Sequence, residues 1–86
     1  MKLLWHDVAW EDYLYWHAHD EQVVKRIHLL IKDIQRNGYA GIGKPEPLKA
    51  NLQSWWSRRI DAAHRLVYRI CDDVCQIIQC KGHYED

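Results

Sequence analysis

Between Asp20 and Asn37-Gly38, six apolar residues recur at intervals of three and four: Val23, Val24, Ile27, Leu30, Ile31 and Ile34. That period places them along one stripe of a helix. Asp20 is a good N-terminal cap, and Gly38 supplies a left-handed terminus. So wide an apolar stripe has to be covered. In a chain of 86 residues the cover must come from the rest of one small domain, residues 1–86.

Two further patterns supply it. From Trp55 onward apolar and polar residues alternate, with Trp56 and Ile60 set against Ser57 and Arg59, then Leu66, Tyr68 and Ile70 against Arg65, Val67 and Arg69. A period of two is the signature of strands. Asp61-Ala-Ala-His64 joins these strands, and Asp72-Asp73 turns the second into a third over Val74–Cys80. At the other end, Lys2–Trp5 reads as a short strand. Asp7 is placed to cap a first helix running to about His19, with Val8, Ala9, Tyr13, Leu14 and Trp16 as inward candidates. Tyr39–Lys49, with two glycines and two prolines, reads as a loop. The order is β-α-α-β-β-β. It predicts an α+β domain in which a helical hairpin packs on one face of a small antiparallel sheet.

Composition narrows the function. No apolar stretch approaches the ~18 residues of a membrane span, and Met1–Trp5 runs at once into His6-Asp7 rather than a signal-peptide core. Cys71, Cys75 and Cys80 are odd in number and too few for a disulfide framework, which points to a reducing cytoplasm. Five apart on a strand, Cys75 and Cys80 are expected on opposite faces, and there is no CxxC pair, so no metal site is expected. The aromatic set is five Trp and five Tyr with no Phe, so every large ring carries a polar handle.

Net charge is zero, from twelve basic and twelve acidic residues. Its distribution is uneven. Residues 1–33 sum to −2, residues 34–70 to +5 and residues 71–86 to −3. The positive block holds Arg36, Lys44, Lys49, Arg58, Arg59, Arg65 and Arg69 against Glu46 and Asp61. A basic block of this kind is the footprint of a phosphate ligand. If Leu66, Tyr68 and Ile70 pack on the helices, Arg65 and Arg69 project together from the other side, joined by Arg59, and make a platform for a polyanion.

Glu46 lies between Pro45 and Pro47 in that block. Pro47 pushes the residue before it toward extended conformations, and Pro45 has a fixed φ. A carboxylate on a rigid strut near arginines can act as a general base. Histidine's unperturbed pKa of about 6.5 suits proton donation near neutral pH, and His83 is the candidate general acid.

Three stretches carry a resemblance: Gly41-Ile-Gly-Lys-Pro-Glu-Pro-Leu48, Trp56-Ser-Arg-Arg-Ile60 with His64-Arg-Leu-Val-Tyr68, and His83-Tyr84, supported by Trp10-Glu-Asp-Tyr-Leu-Tyr-Trp16. Together they resemble the YoeB/Txe branch of the RelE/ParE toxin superfamily over the whole chain. The resemblance implies an mRNA endoribonuclease that works in the ribosomal A site without metal or cofactor. The ribose 2′-hydroxyl attacks the adjacent phosphate, leaving a 2′,3′-cyclic phosphate and a 5′-hydroxyl. It further implies Glu46 as general base, His83 as general acid and Arg65 as the cation at the transition state. Arg59, Lys49, Arg69 and Tyr84 are the expected phosphate or base contacts. The implied partners are mRNA on the 70S ribosome and a YefM/Axe-type antitoxin, whose complex with the toxin binds its own operator DNA. A homodimer is compatible with the aromatics. RNA brings its own nucleophile, which suits a chain without a Ser/His/Asp or Cys/His set.

Two departures stand out. Ala62-Ala63 occupy a turn where the family often has acidic residues, and Lys81-Gly82 precede His83 where an Arg-aromatic pair can occur. The competing expectations are a non-catalytic ParE-like toxin acting on gyrase and a binding module that docks DNA. The presence of Glu46 and His83 favours the nuclease over the ParE-like toxin, which lacks that pair.

Overall fold

The computed structural model describes residues 1–83. Its elements are β1 (Lys2–Trp5), α1 (Asp7–His19), α2 (Glu21–Asn37), β2 (Glu46–Pro47), a 3₁₀ turn (Ala50–Leu52), β3 (Trp56–Arg59), β4 (Arg65–Cys71) and β5 (Val74–Gln79). The five strands form one sheet in the order β1-β5-β4-β3-β2. The α+β order follows the sequence reading, with two additions. β1 pairs with β5 in parallel, Lys2 opposite Val74, which makes the sheet mixed. Glu46-Pro47, inside the segment read as a loop, forms a two-residue antiparallel edge strand, with Glu46 opposite Ser57. An edge is where a proline fits, since it has no N–H to give to a ladder.

α2 behaves as its stripe requires. Val23, Val24, Ile27, Leu30, Ile31 and Ile34 are all buried, each contributing about 1.5–3 kcal/mol of burial. Asp20 Oδ1 accepts the N–H groups of Gln22 (3.1 Å) and Val23 (3.4 Å). Gly38 (φ +66°) closes the helix by donating its N–H to Ile34 O. α1 departs from expectation in two ways. Its N-cap is His6, and Asp7 is the first helical residue, where its charge still favours the N-terminal end of the helix dipole. Ala9 and Trp16 are buried, but Val8 is 60% exposed and Leu14 48% exposed. They lie outside the narrow Ala9–Tyr13–Trp16 stripe that meets the sheet.

The core side of the sheet carries Ile60, Leu66, Tyr68, Cys75 and Ile77, with Trp56 and Ile70 at its margin. Asp72 and Asp73 both have positive φ (52° and 60°), the geometry of a tight two-residue hairpin. A register shift in the β4–β5 ladder pairs Tyr68 with Ile77 but Val67 with Gln79, so Ile78 is an extra residue. That bulge overturns the expected placement of the cysteines. It changes the phase of the alternation, and Cys75 and Cys80 are both fully buried in the core. Burial pushes their thiols up, to about 11 and about 12.

Candidate functional site

The face of the sheet opposite the helices is organised in rows. Glu46 stands opposite Ser57, Ser57 opposite Val67 and Val67 opposite Gln79, one row across four strands. Two residues further along β3 and β4, Arg59 stands opposite Arg65. Two residues the other way along β4, Arg69 stands opposite Gln76. Side chains two apart share a face and lie about 7 Å from one another along a strand. The register therefore puts the Glu46 carboxylate on the same face as all three arginines, between the Arg59–Arg65 row and the Arg69 row.

Glu46 is delivered there by the chain before it. Gly43 and Lys44 take consecutive left-handed conformations (φ +79° and +51°), and the Arg59 N–H donates to Gly43 O at 2.7 Å. Pro47 then fixes the extended path, and Leu48 N–H donates to Trp55 O at 2.9 Å. Glu46 itself is exposed.

The arginines differ in state. Arg59 is exposed. Arg65 is only 8% exposed, and its Nη1 donates to the carbonyls of Asp61 (2.8 Å), Ala62 (3.4 Å) and His64 (3.1 Å). The turn between β3 and β4 thus holds this guanidinium in place. Arg69 lies over the Trp55 ring, its guanidinium carbon 4.4 Å from the centroid, with a buried Nε that has no hydrogen-bond partner among the described residues. Such a contact contributes about 0.5–2 kcal/mol and locks the side chain against the face. Ser57 and Val67, between these groups, are buried, so this side is less open than the alternation implies.

Arg58 leaves the basic patch altogether. It shares the core face with Trp56 and Ile60 and is completely buried. Its Nε donates to Tyr68 Oη (3.0 Å) and its Nη1 to Asp33 Oδ2 and Ile42 O. Nη2 donates to Gly38 O (2.8 Å) and Ala40 O (3.0 Å). Asp33 also accepts from Ile42 N–H and Asn37 Nδ2. The Arg58 hydrogen bond holds the Asp33 carboxyl below its ordinary range against the opposing effect of desolvation. With the folded value depressed, Asp33 stabilises the fold fully above the unfolded carboxylate pKa, and that contribution is lost as pH falls through the folded one. Thermal melts from pH 7 to pH 2 are expected to show the stability gap between wild type and Asp33→Asn closing as the pH drops below roughly 5. A gap independent of pH would mean the pair contributes nothing through its charge.

His83 is brought in from the far end of the chain. Past the last β4–β5 ladder pair, Arg65 N–H donates to Gly82 O (3.0 Å) and Gly82 N–H donates to His64 Nδ1 (2.8 Å). Upstream, Cys80 N–H donates to Asp12 Oδ2 (3.1 Å) and Cys80 O accepts from Trp16 Nε1 (2.8 Å). Burial raises the Asp12 carboxyl above its ordinary value. His83 therefore emerges beside Arg65 and is exposed. Lys49 is not in these rows. It lies exposed at the head of the 3₁₀ turn. Tyr84, with Glu85 and Asp86, lies outside the described residues.

Sequence reasoning missed Trp55 and His64 as parts of this face. The tandem Trp55-Trp56 held a signal for the first, since adjacent residues on a strand face opposite ways and one of the two had to leave the core. A concavity of about 580 Å³ lies elsewhere, against Leu4, Trp5, His6 and Val8.

The YoeB-like toxins of bacterial type II toxin–antitoxin systems match residues 5–84 of the chain. Toxin YoeB of Escherichia coli K12 is 54% identical over 84 residues, 98% of this chain and 100% of that protein. A YoeB/ParE toxin from Agrobacterium tumefaciens superposes with a TM-score of 0.95 at 45% identity, covering 98% of this chain and 100% of the other. Two Staphylococcus aureus structures, a YoeB–YefM complex and a YoeB dimer, give TM-scores of 0.91 and 0.92 at 46% and 47% identity, with 98% of each chain covered.

Proposed function

Because the chain belongs to the YoeB-like toxins of bacterial type II toxin–antitoxin systems, we propose that it is a ribosome-dependent mRNA endoribonuclease working in the A site. The single observation that supports this reading best is the strand register, which sets Glu46 on one face with Arg59, Arg65 and Arg69. Gly82 is pinned to Arg65 at the same end of β4.

In this mechanism Glu46 takes the proton from the ribose 2′-hydroxyl, and the freed oxygen attacks the adjacent phosphorus. Arg65 neutralises charge growing on the non-bridging oxygens. A guanidinium already fixed by three carbonyls needs little reorganisation at that moment, which is the condition for strong electrostatic stabilisation. His83 gives its proton to the departing 5′-oxygen, so the products are a 2′,3′-cyclic phosphate and a 5′-hydroxyl. No protein nucleophile and no cofactor enters, because the substrate supplies the attacking group. Arg59, Arg69, Lys49 and Tyr84 hold the flanking phosphates and bases.

The same basic face is where a YefM-type antitoxin would dock, folding onto the toxin and covering its charge, and the complex would bind its operator DNA. Self-association is compatible with the exposed Trp10, Leu14 and Val8. Among the described residues no helix is long and apolar enough to cross a membrane, and ribosomes place the action in the cytoplasm. The test is to express the chain in a translating extract and map breaks on mRNA. Breaks confined to translated codons are expected. Intact mRNA together with arrested DNA supercoiling would point instead to a gyrase-directed, ParE-like toxin.

A further inference from the structure

We propose that His64 is a positioning residue for the cleavage step: its neutral imidazole holds the strand end that presents His83, and protonating it lets that strand end go. The role rests on the nuclease reading above, in which His83 is the acid.

The geometry is a pinch on one residue. Gly82 immediately precedes His83, and its two backbone groups are both taken by consecutive residues of β4 and the turn before it. Its N–H donates to His64 Nδ1 at 2.8 Å, and its carbonyl accepts from Arg65 N–H at 3.0 Å. A backbone N–H can only donate, so Nδ1 must carry a lone pair and the ring proton must sit on Nε2. Gly82 has φ +80°, a conformation that the pinch must maintain and that other residues adopt only at a cost.

The ring is itself fixed. Trp16 meets it edge-on with centroids 4.7 Å apart, and Trp16 Nε1 bonds the Cys80 carbonyl two residues before Gly82. The clamp on Cys80 from α1 and the clamp on Gly82 from His64 are thus one packed unit. Together with Arg65 Nη1 on His64 O, they tie the transition-state cation and the general acid to the same turn.

A second proton on the imidazole goes to Nδ1 and turns the acceptor into a donor facing a donor. Among the described residues the charged groups around the ring are few. From its own turn, Asp61 Oδ1 accepts the His64 backbone N–H (2.8 Å) and the Arg65 guanidinium sits on the His64 carbonyl. From α1 comes Asp12, which is bonded to Cys80 N–H. From the strand end come Lys81, whose ammonium lies over the Tyr15 ring at 4.5 Å, and His83. None of these replaces the lost acceptor for Gly82 N–H. Cleavage should therefore weaken on the acid side as His64 charges, in addition to any effect of protonating Glu46.

Two substitutions separate this role from bulk packing. In His64→Asn the side-chain Oδ1 stands the same number of bonds from Cβ as Nδ1, accepts, and does not titrate. In His64→Gln the oxygen is displaced to the position of Nε2. Single-turnover cleavage on programmed ribosomes, taken as a ratio to wild type at each pH, is expected to fall on the order of 10–100-fold in His64→Gln with ribosome affinity unchanged, the scale of an ångström-level misplacement. His64→Asn should stay within a few-fold of wild type at neutral pH and outperform it on the acid limb. In the wild-type chain, the Gly82 amide NMR resonance should titrate together with the His64 ring, a readout that needs no variant to fold. Equal activity of the two variants, an acid limb unchanged in His64→Asn, or a Gly82 amide indifferent to His64 titration would each overturn the role. A wild-type chain that cuts no mRNA would overturn the nuclease reading as well, and is told apart by that result alone.

Discussion

His83→Gln and Glu46→Gln are each expected to lower mRNA cleavage on the ribosome by roughly 10²–10⁴-fold, the usual value of one positioned proton transfer. Both residues are exposed and neither belongs to the buried core, so both variants should melt within a degree or two of wild type. The pair acts on one reaction coordinate, so the double variant should lose less than the product of the single losses. The measurement is single-turnover cleavage of a defined mRNA on programmed ribosomes at saturating toxin, which removes binding from the rate. Variants with wild-type rates would remove Glu46 and His83 from the chemistry and leave the arginine face as a binding surface only.

The second large effect is on the fold. Arg58→Met removes a completely buried guanidinium whose five hydrogen bonds join Asp33 of α2, Tyr68 of β4 and three carbonyls of the 38–42 loop. Breaking one side of a buried ion pair typically costs about 3–5 kcal/mol. At about 4–8 °C per kcal/mol for a domain of this size, the melting temperature should fall by tens of degrees. The same loop packs directly on Asp33, since a Cβ added at Gly41 would collide with the Asp33 carboxylate. As the loop leads directly into β2, any Arg58 variant that folds should also lose cleavage through misplacement of Glu46. Calorimetry beside the cleavage assay reads both effects. A melting temperature within 2–3 °C of wild type would mean that the pair is replaceable by packing, as some buried pairs are.

The helices and the meander were legible because their signals are local. The apolar stripe and both caps of α2 lie within twenty residues of one another, and β3, β4 and β5 are joined by short turns. What escaped is decided at long range. β1 must choose an edge of the sheet, and nothing within Lys2–Trp5 names β5 as its parallel neighbour. β2 is two residues long and exists through its register with β3, so the Gly and Pro signals that read as a loop could not reveal it. The bulge at Ile78 has no marker in sequence, yet it turns Cys80 inward.

The site was legible in its residue types more than in their states. Alternation placed Arg59, Arg65 and Arg69 on one face, and the register agrees. The charge tally also counted Arg58, although the same alternation sets it with Trp56 and Ile60 on the core side. A charge on that side needs a buried partner, and Asp33 on α2 was the available one. His83 could not be placed from sequence because the hydrogen bonds from Arg65 N–H to Gly82 O and from Gly82 N–H to His64 Nδ1 are a tertiary event. The neutral total of the chain is then a sum over unlike parts: an ion pair around the buried Arg58, a second buried arginine held by its own turn, and an exposed basic margin.

The most direct measurement is the end-group chemistry of mRNA cut on ribosomes programmed with a single A-site codon. A 2′,3′-cyclic phosphate on the upstream fragment and a 5′-hydroxyl on the downstream one are the expected products of 2′-hydroxyl attack assisted by Glu46 and His83. A 3′-hydroxyl with a 5′-phosphate would mean that water, not the ribose, is the nucleophile, and would contradict the mechanism.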